Sequence, residues 1–174
     1  LGAEYGVVAL SISAYLALTA VLQVAIGPLS DRYGRRPVVL VSFAVFLVAT
    51  IGCALAPTIE TLLAFRLLQT AIASGLVLSR AIVRDMVPME RAASMIGYVT
   101  MGRWVAPMSG PMAGGFLDEF FGWRSVFVAT FAVGVVGAAL VWFDLGETNE
   151  TPSESFAAQF RSYPDLARSL RFWG

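Results

Sequence analysis

The chain has 174 residues, 57% of them hydrophobic and 14% charged, with a mean hydropathy of +0.74 and a formal net charge of zero. A soluble domain carries roughly a quarter charged residues, and no segment here shows a polar stripe wide enough to face water; the composition therefore excludes a water-soluble core and requires lipid as solvent. The twelve cations are all arginine and are matched by twelve acids, which leaves no basic footprint for nucleic acid.

Five runs are long and apolar enough to cross a bilayer core, which takes about twenty helical residues. In chain order they are residues 5–26, 38–56, 61–83, 92–117 and 125–143. Short connectors at 27–37, 57–60, 84–91 and 118–124 make neighbouring spans antiparallel. The single cysteine, Cys53, lies inside the second run and reads as a packed thiol. There is no initiator methionine and no basic segment ahead of a short apolar core, so no cleavable signal peptide is read, and the first residues look like the middle of a longer chain.

Arginine sets the orientation. The first connector holds Arg32, Arg35 and Arg36, and the third holds Arg84 and Arg91 with Arg80 one turn earlier. The second connector has no cation. The basic connectors, 27–37 and 84–91, are thus expected to be cytoplasmic. Residues 147–174 are expected to form a cytoplasmic linker leading into a seventh span. Within it, Phe156, Phe160 and Tyr163 share a helical face suited to the membrane interface, and a solvated linker is the alternative. The Asn149 sequon falls on the cytoplasmic side and is discounted.

The first connector has an echo. "GPLSDRYGRRPVV" (27–39) aligns with "GFLDEFFGWRSVF" (115–127) at a shift of 88, pairing Gly27 with Gly115, Asp31 with Glu119, Gly34 with Gly122 and Arg36 with Arg124. "SFAV" (42–45) meets "TFAV" (130–133) at the same shift. An odd number of spans lies between the copies, so they sit on opposite faces of the membrane. That is an inverted repeat, a mark of many secondary transporters.

Gly27-Pro-Leu-Ser-Asp31-Arg-Tyr-Gly34-Arg35-Arg36 resembles the loop signature of the major facilitator superfamily. Arg66-Leu-Leu-Gln69-Thr70 resembles the fourth-span R-x-x-Q-G of its drug:proton antiporters, with threonine in place of glycine. Gly97, Ala106, Gly110-Pro111 and Gly114-Gly115 resemble the antiporter motif of the fifth span, with Ala106 in place of glycine. "RAIVRDM" and "FGWRSVF" look most like the bicyclomycin/chloramphenicol-resistance (Bcr/CflA) type. The resemblance implies an all-α polytopic membrane protein, with five visible spans of a six-helix, inverted-repeat (3+3) half of a twelve-helix transporter. The missing partners would be the first span and the carboxy-terminal half. The implied activity is proton-coupled efflux of small molecules by alternating access in the bacterial inner membrane. A metabolite facilitator of the same fold, or a truncated membrane protein with only a structural or partner-binding role, remain the alternatives.

Site assignments follow from the residues and that resemblance. Gly27, Asp31, Arg32, Gly34, Arg35 and Arg36 form the expected gating loop, with Asp31 pairing to a face of Arg80 and Arg84; a loop that only fixes orientation is the alternative. Arg66 and Gln69 match the proton-coupling motif, although Arg66 is close enough to its span's end to snorkel. Ala106, Gly110 and Gly114 recur every four residues as a small-residue face, beside Pro107 and Pro111. Tyr15, Gln23, Tyr98, Arg103 and Trp104 are candidate cavity residues, or packing residues. Arg103 lies deep in its span, where an unpaired arginine costs about 2.5–3.5 kcal/mol, and no carboxylate of this chain lies at that depth. No His, Asp or Glu occupies a span interior, so the proton carrier is expected outside these 174 residues. No phosphate loop, Cys/His metal spacing or Ser-His-Asp set points to an enzyme, a metal or a cofactor.

Overall fold

Glycine and proline punctuate the apolar runs and divide the chain into rods. A computed structural model describes residues 5–148. It contains α1 (Tyr5–Tyr33), α2 (Arg35–Leu55), α3 (Ile59–Leu68), a 3-10 turn (Gln69–Ala73), α4 (Ser74–Met86), α5 (Met89–Phe121) and α6 (Arg124–Asp144). No strand occurs among the described residues. The expectations for the linker beyond 148, including its interfacial face, lie outside the described residues.

The breaks have local causes. α1 ends at Gly34, whose φ of 92° is left-handed, and α5 ends at Gly122, whose φ is 80°; glycine alone takes these values without strain. Both glycines leave the helix with nearly the same backbone, ψ being 152° and 161°. After Pro57, Thr58 starts α3 with a capping box: its Oγ1 accepts from the Thr61 amide at 3.4 Å, and the Thr61 Oγ1 accepts from the Thr58 amide at 3.3 Å. Pro88 caps α5, with no amide hydrogen to lose at the helix start.

Among the described residues four rods are long and apolar enough to cross a membrane: Ser13–Tyr33, Arg35–Leu55, Ile59–Met86 and Arg124–Asp144. The third comprises α3, the 3-10 turn and α4 as one interrupted span. α5 has 33 residues, ample for a bilayer, but Arg103 and a run of Gly, Ser and Pro hold its apolarity below that of the others. It continues as one helix through Pro107 and Pro111.

α2 and α6 form the most extensive helix pair. Each has 21 residues, about 31 Å at 1.5 Å per residue, which matches a hydrocarbon core of about 30 Å. Glycines let them close. A Cβ on Gly134 would lie 2.9 Å from both Phe46 and Leu47, and one on Gly137 would lie 3.0 Å from Phe43. Gly52 admits the Phe65 ring of α3 in the same way. The apolar core, Ile26, Val38, Val39 and Leu78 with Leu22, Phe43, Ile82 and Val141 around it, lies toward the Gly34 end of the bundle.

The inverted repeat is visible as geometry. Arg36, at the start of α2, donates Nη2 to the carbonyl of Trp142 at the end of α6, at 2.9 Å. Arg124, at the start of α6, donates Nε to the carbonyl of Ala54 at the end of α2, at 3.0 Å. Arg36 and Arg124 are 88 apart in sequence, and so are Ala54 and Trp142. The two contacts are therefore the same contact seen twice, once at each end of an antiparallel pair.

Candidate functional site

The charged connector folds into a site at the Gly34 end, where α1 and α4 finish and α2 begins. Ser30, buried, donates its hydroxyl to the Gly27 carbonyl at 2.8 Å, and the Gly34 amide bonds the Ser30 carbonyl at 3.0 Å. The helix thus runs tightly into the reversal. Arg35 then opens α2 with its side chain turned back into the bundle, only 13% exposed.

Arg35 forms an ion pair with Asp85 in the last turn of α4 and lies 4.0 Å from Asp31 in the last turn of α1. One guanidinium therefore ties three helices together. This corrects the pairing expected from the sequence. The loop supplies the cation and α4 the anion, while Arg80 and Arg84 form no ion pair among the described residues. The reason is angular: Asp85 sits about 100° round the helix from Arg84, on the side that Arg35 reaches from the Gly34 turn.

A third carboxylate completes the site from 112 residues away. Glu147, just beyond α6, accepts the backbone N–H of Arg35 through Oε1 at 2.9 Å. It caps the otherwise unsatisfied amino end of α2, where a negative charge also meets the positive end of the helix dipole. Its carboxylate occupies the space over Gly34, so a Cβ there would be 2.5 Å from Oε2. Gly34 is thus required twice over, by φ and by contact. Sequence reasoning missed Asp85 and Glu147. The signal for Asp85 was an acid directly beside Arg84; Glu147 gave none, because nothing local links it to the connector. Of the remaining loop residues, Arg32 stacks its guanidinium over the Tyr33 ring at 5.5 Å, and Gly27 faces open space.

Elsewhere the expected sites separate. Gln69 is buried and donates Nε2 to Thr50 Oγ1 at 2.8 Å, and Thr50 in turn donates to the Phe46 carbonyl at 2.7 Å. Gln69 therefore locks the 3-10 turn onto α2, while Arg66 on α3 is exposed. Thr70, in the glycine position of the motif, is buried and bonds the Leu67 carbonyl at 2.7 Å.

On α5 the small face is open: Cβ atoms at Gly97, Gly110, Gly114 and Gly115 would meet nothing within 4 Å among the described residues. Pro111 shares that exposure, and Ala106 lies on the same helix. Tyr98, Arg103 and Trp104 are exposed on α5, and Arg103 forms no ion pair among the described residues. Tyr15 and Gln23 are half-buried on α1. α5 packs on α4 and α6, whereas α1 packs on α2, α3 and α4, so the two sets of cavity candidates share no extended contact.

Residues 1–173 match the Major Facilitator Superfamily. The chain belongs to that superfamily. It is 38% identical over 181 residues to the uncharacterized MFS-type transporter YdgK of Bacillus subtilis, covering the whole of this chain and 45% of that protein. It is 36% identical to a chloramphenicol resistance protein of Pseudomonas aeruginosa over 82% of this chain and 34% of the relative. It is 28% identical to multidrug resistance protein D of Escherichia coli over 93% and 42%. The chain thus spans less than half the length of these relatives. A superfamily helix bundle with four strongly apolar rods is part of a multi-pass membrane protein.

Proposed function

We propose that this chain is the amino-terminal half, lacking its first span, of a proton-driven exporter of small amphipathic drugs or metabolites, of the Bcr/CflA type. It works by alternating access in the bacterial inner membrane. The Gly34 end, with 27–37, 84–91 and 147–174, faces the cytoplasm. The observation that carries this reading is the charged lock at that end: Arg35 held between Asp31 and Asp85, with Glu147 on its amide. A partly buried guanidinium with two carboxylates is stable only while its partners stay in place, which suits a contact that is made in one state and broken in another. The drug-resistance names of two relatives and the open small-residue face of α5 support the efflux reading.

The residues divide the labour. Arg35, Asp31, Asp85 and Glu147 hold the gating loop closed. Arg66 carries the fixed charge of the coupling motif, and Gln69 fixes the turn beneath it. Arginine keeps its proton, so the group that gains and loses the coupling proton lies on the first span or in the other half. Tyr98, Arg103 and Trp104 face the cavity that those segments complete, and Arg103 meets an anionic partner there. The small face of α5 seals against the opposite half.

The test is export of chloramphenicol by the intact protein in everted membrane vesicles of an efflux-deficient strain. The expected result is accumulation that a protonophore abolishes and that Asp85→Asn impairs while insertion persists. Protonophore-insensitive movement would replace the antiporter with a facilitator, and no movement of any tested drug would overturn the efflux reading.

A further inference from the structure

The pseudo-two-fold relation between α2 and α6 allows each residue of the Gly34 end to be compared with its own counterpart at the opposite end. Some features occur twice. Gly34 and Gly122 share a left-handed backbone, and Arg36 and Arg124 make the reciprocal bonds to Trp142 and Ala54. Other features occur once. The counterpart of Arg35, 88 residues on, is Trp123, and the counterpart of Glu147, 88 residues back, is Ile59. Among the described residues no carboxylate stands over Gly122, where a Cβ would meet nothing within 4 Å. One end carries a charged lock, then, and the other carries only the part common to both.

We propose that Arg36 and Arg124 are a symmetric pair of clamps that hold α2 and α6 as one body through the whole cycle, and that gating belongs to the charged lock around Arg35 and not to Arg36. This removes Arg36 from the gating loop to which its sequence neighbours assign it. The physical basis is the acceptor each clamp uses. The last carbonyls of a helix have no partner within it and carry the negative end of its dipole. Each arginine supplies both a donor and a positive charge to the far end of the other helix. Each also lies beside an indole: Arg36 is 5.8 Å from the Trp142 ring and Arg124 is 4.6 Å from the Trp123 ring. Cation and indole together keep the guanidinium over that end. Neither clamp involves a carboxylate, and neither shares a partner atom with the lock.

Assigning a gate to Arg35, Asp85 and Glu147 rests on the transport reading above, but the clamps are tested without transport. In the purified intact protein, Arg36→Gln and Arg124→Gln should each lower Tm by about 2–4 °C and by similar amounts. Hydrogen exchange gives a second readout for variants that insert poorly. Arg36→Lys should raise amide exchange at residues 142–146, and Arg124→Lys at residues 54–58, each at the end of the other helix. Asp85→Asn should raise exchange around Gly34 and leave 54–58 unchanged. A Tm effect confined to Arg36, or exchange that rises only in the substituted helix, would overturn the clamp. Absence of drug movement by the wild type would overturn the transport reading and leave the clamp standing.

Discussion

Two glycines with the same backbone but different surroundings separate strain from contact. Gly34 has φ 92° and Glu147 against it, whereas Gly122 has φ 80° and open space. Gly122→Ala should therefore cost only the left-handed backbone, about 1 kcal/mol. Gly34→Ala should cost that and the displacement of Glu147 from the Arg35 amide, about 2–3 kcal/mol in all. Thermal unfolding of the two variants in one detergent measures the difference, and equal losses would show that the Glu147 contact contributes nothing. Asp85→Asn leaves the partly buried Arg35 with half its counter-charge. A loss of about 1–3 kcal/mol is expected, and Asp85→Glu, which keeps the charge, should recover much of it. At this scale the sequence was legible where chemistry and position agreed. Gly34 and Arg35 could be picked from the connector alone, but their partners could not. Asp85 is one residue away from Arg84, one of the two arginines chosen instead, and only the packing of α1 and α2 on α4 decides which side of that helix is used. Glu147 lies 112 residues from Arg35, and no local pattern reaches that far.

Among the elements, the span formed by α3, the 3-10 turn and α4 shows how a polar motif can be structural. Gln69 matches a motif associated with coupling, yet its amide is buried against Thr50. Thr50→Val keeps the shape and removes the acceptor, leaving a buried donor unsatisfied at a cost of about 1–3 kcal/mol. Thr50→Ser should behave as wild type. In a protein of this size 1 kcal/mol corresponds to about 2–4 °C in Tm, so thermal melting resolves the two variants. The interruption itself was not legible: the 61–83 run holds no proline, and its polar Gln69 and Thr70 do not by themselves announce a change of helix type. The outer bounds were easier, because Pro57-Thr58 and Pro88 end rods by removing donors and supplying caps. The helices also run past the apolar stretches. α1 continues through Ser30 and Asp31 to Tyr33, so its last turn carries the charges that were assigned to a connector. Short polar residues that bond their own backbone, as Ser30 does with Gly27, can extend a helix beyond its lipid-soluble part.

For the molecule as a whole, the repeat was readable because glycine and arginine recur at fixed positions for a mechanical reason, the turn and the clamp, while the apolar residues between them drift. The open side of α5 belongs to the same scale. Its glycines meet nothing among the described residues, so Gly110→Leu should leave insertion and Tm of this bundle unchanged. If the opposite half closes on that face, the same substitution should abolish drug export in everted vesicles. Full export by Gly110→Leu would remove α5 from the seal.

The Trp142 carbonyl and the Glu147 carboxylate that secure the start of α2 lie 106 and 111 residues downstream of Arg36. A ribosome adding about 5–20 residues per second takes roughly 5–20 s to deliver them. Throughout that interval the newborn hairpin of α1 and α2 waits with Arg36 short of its acceptor and with an uncapped helix end.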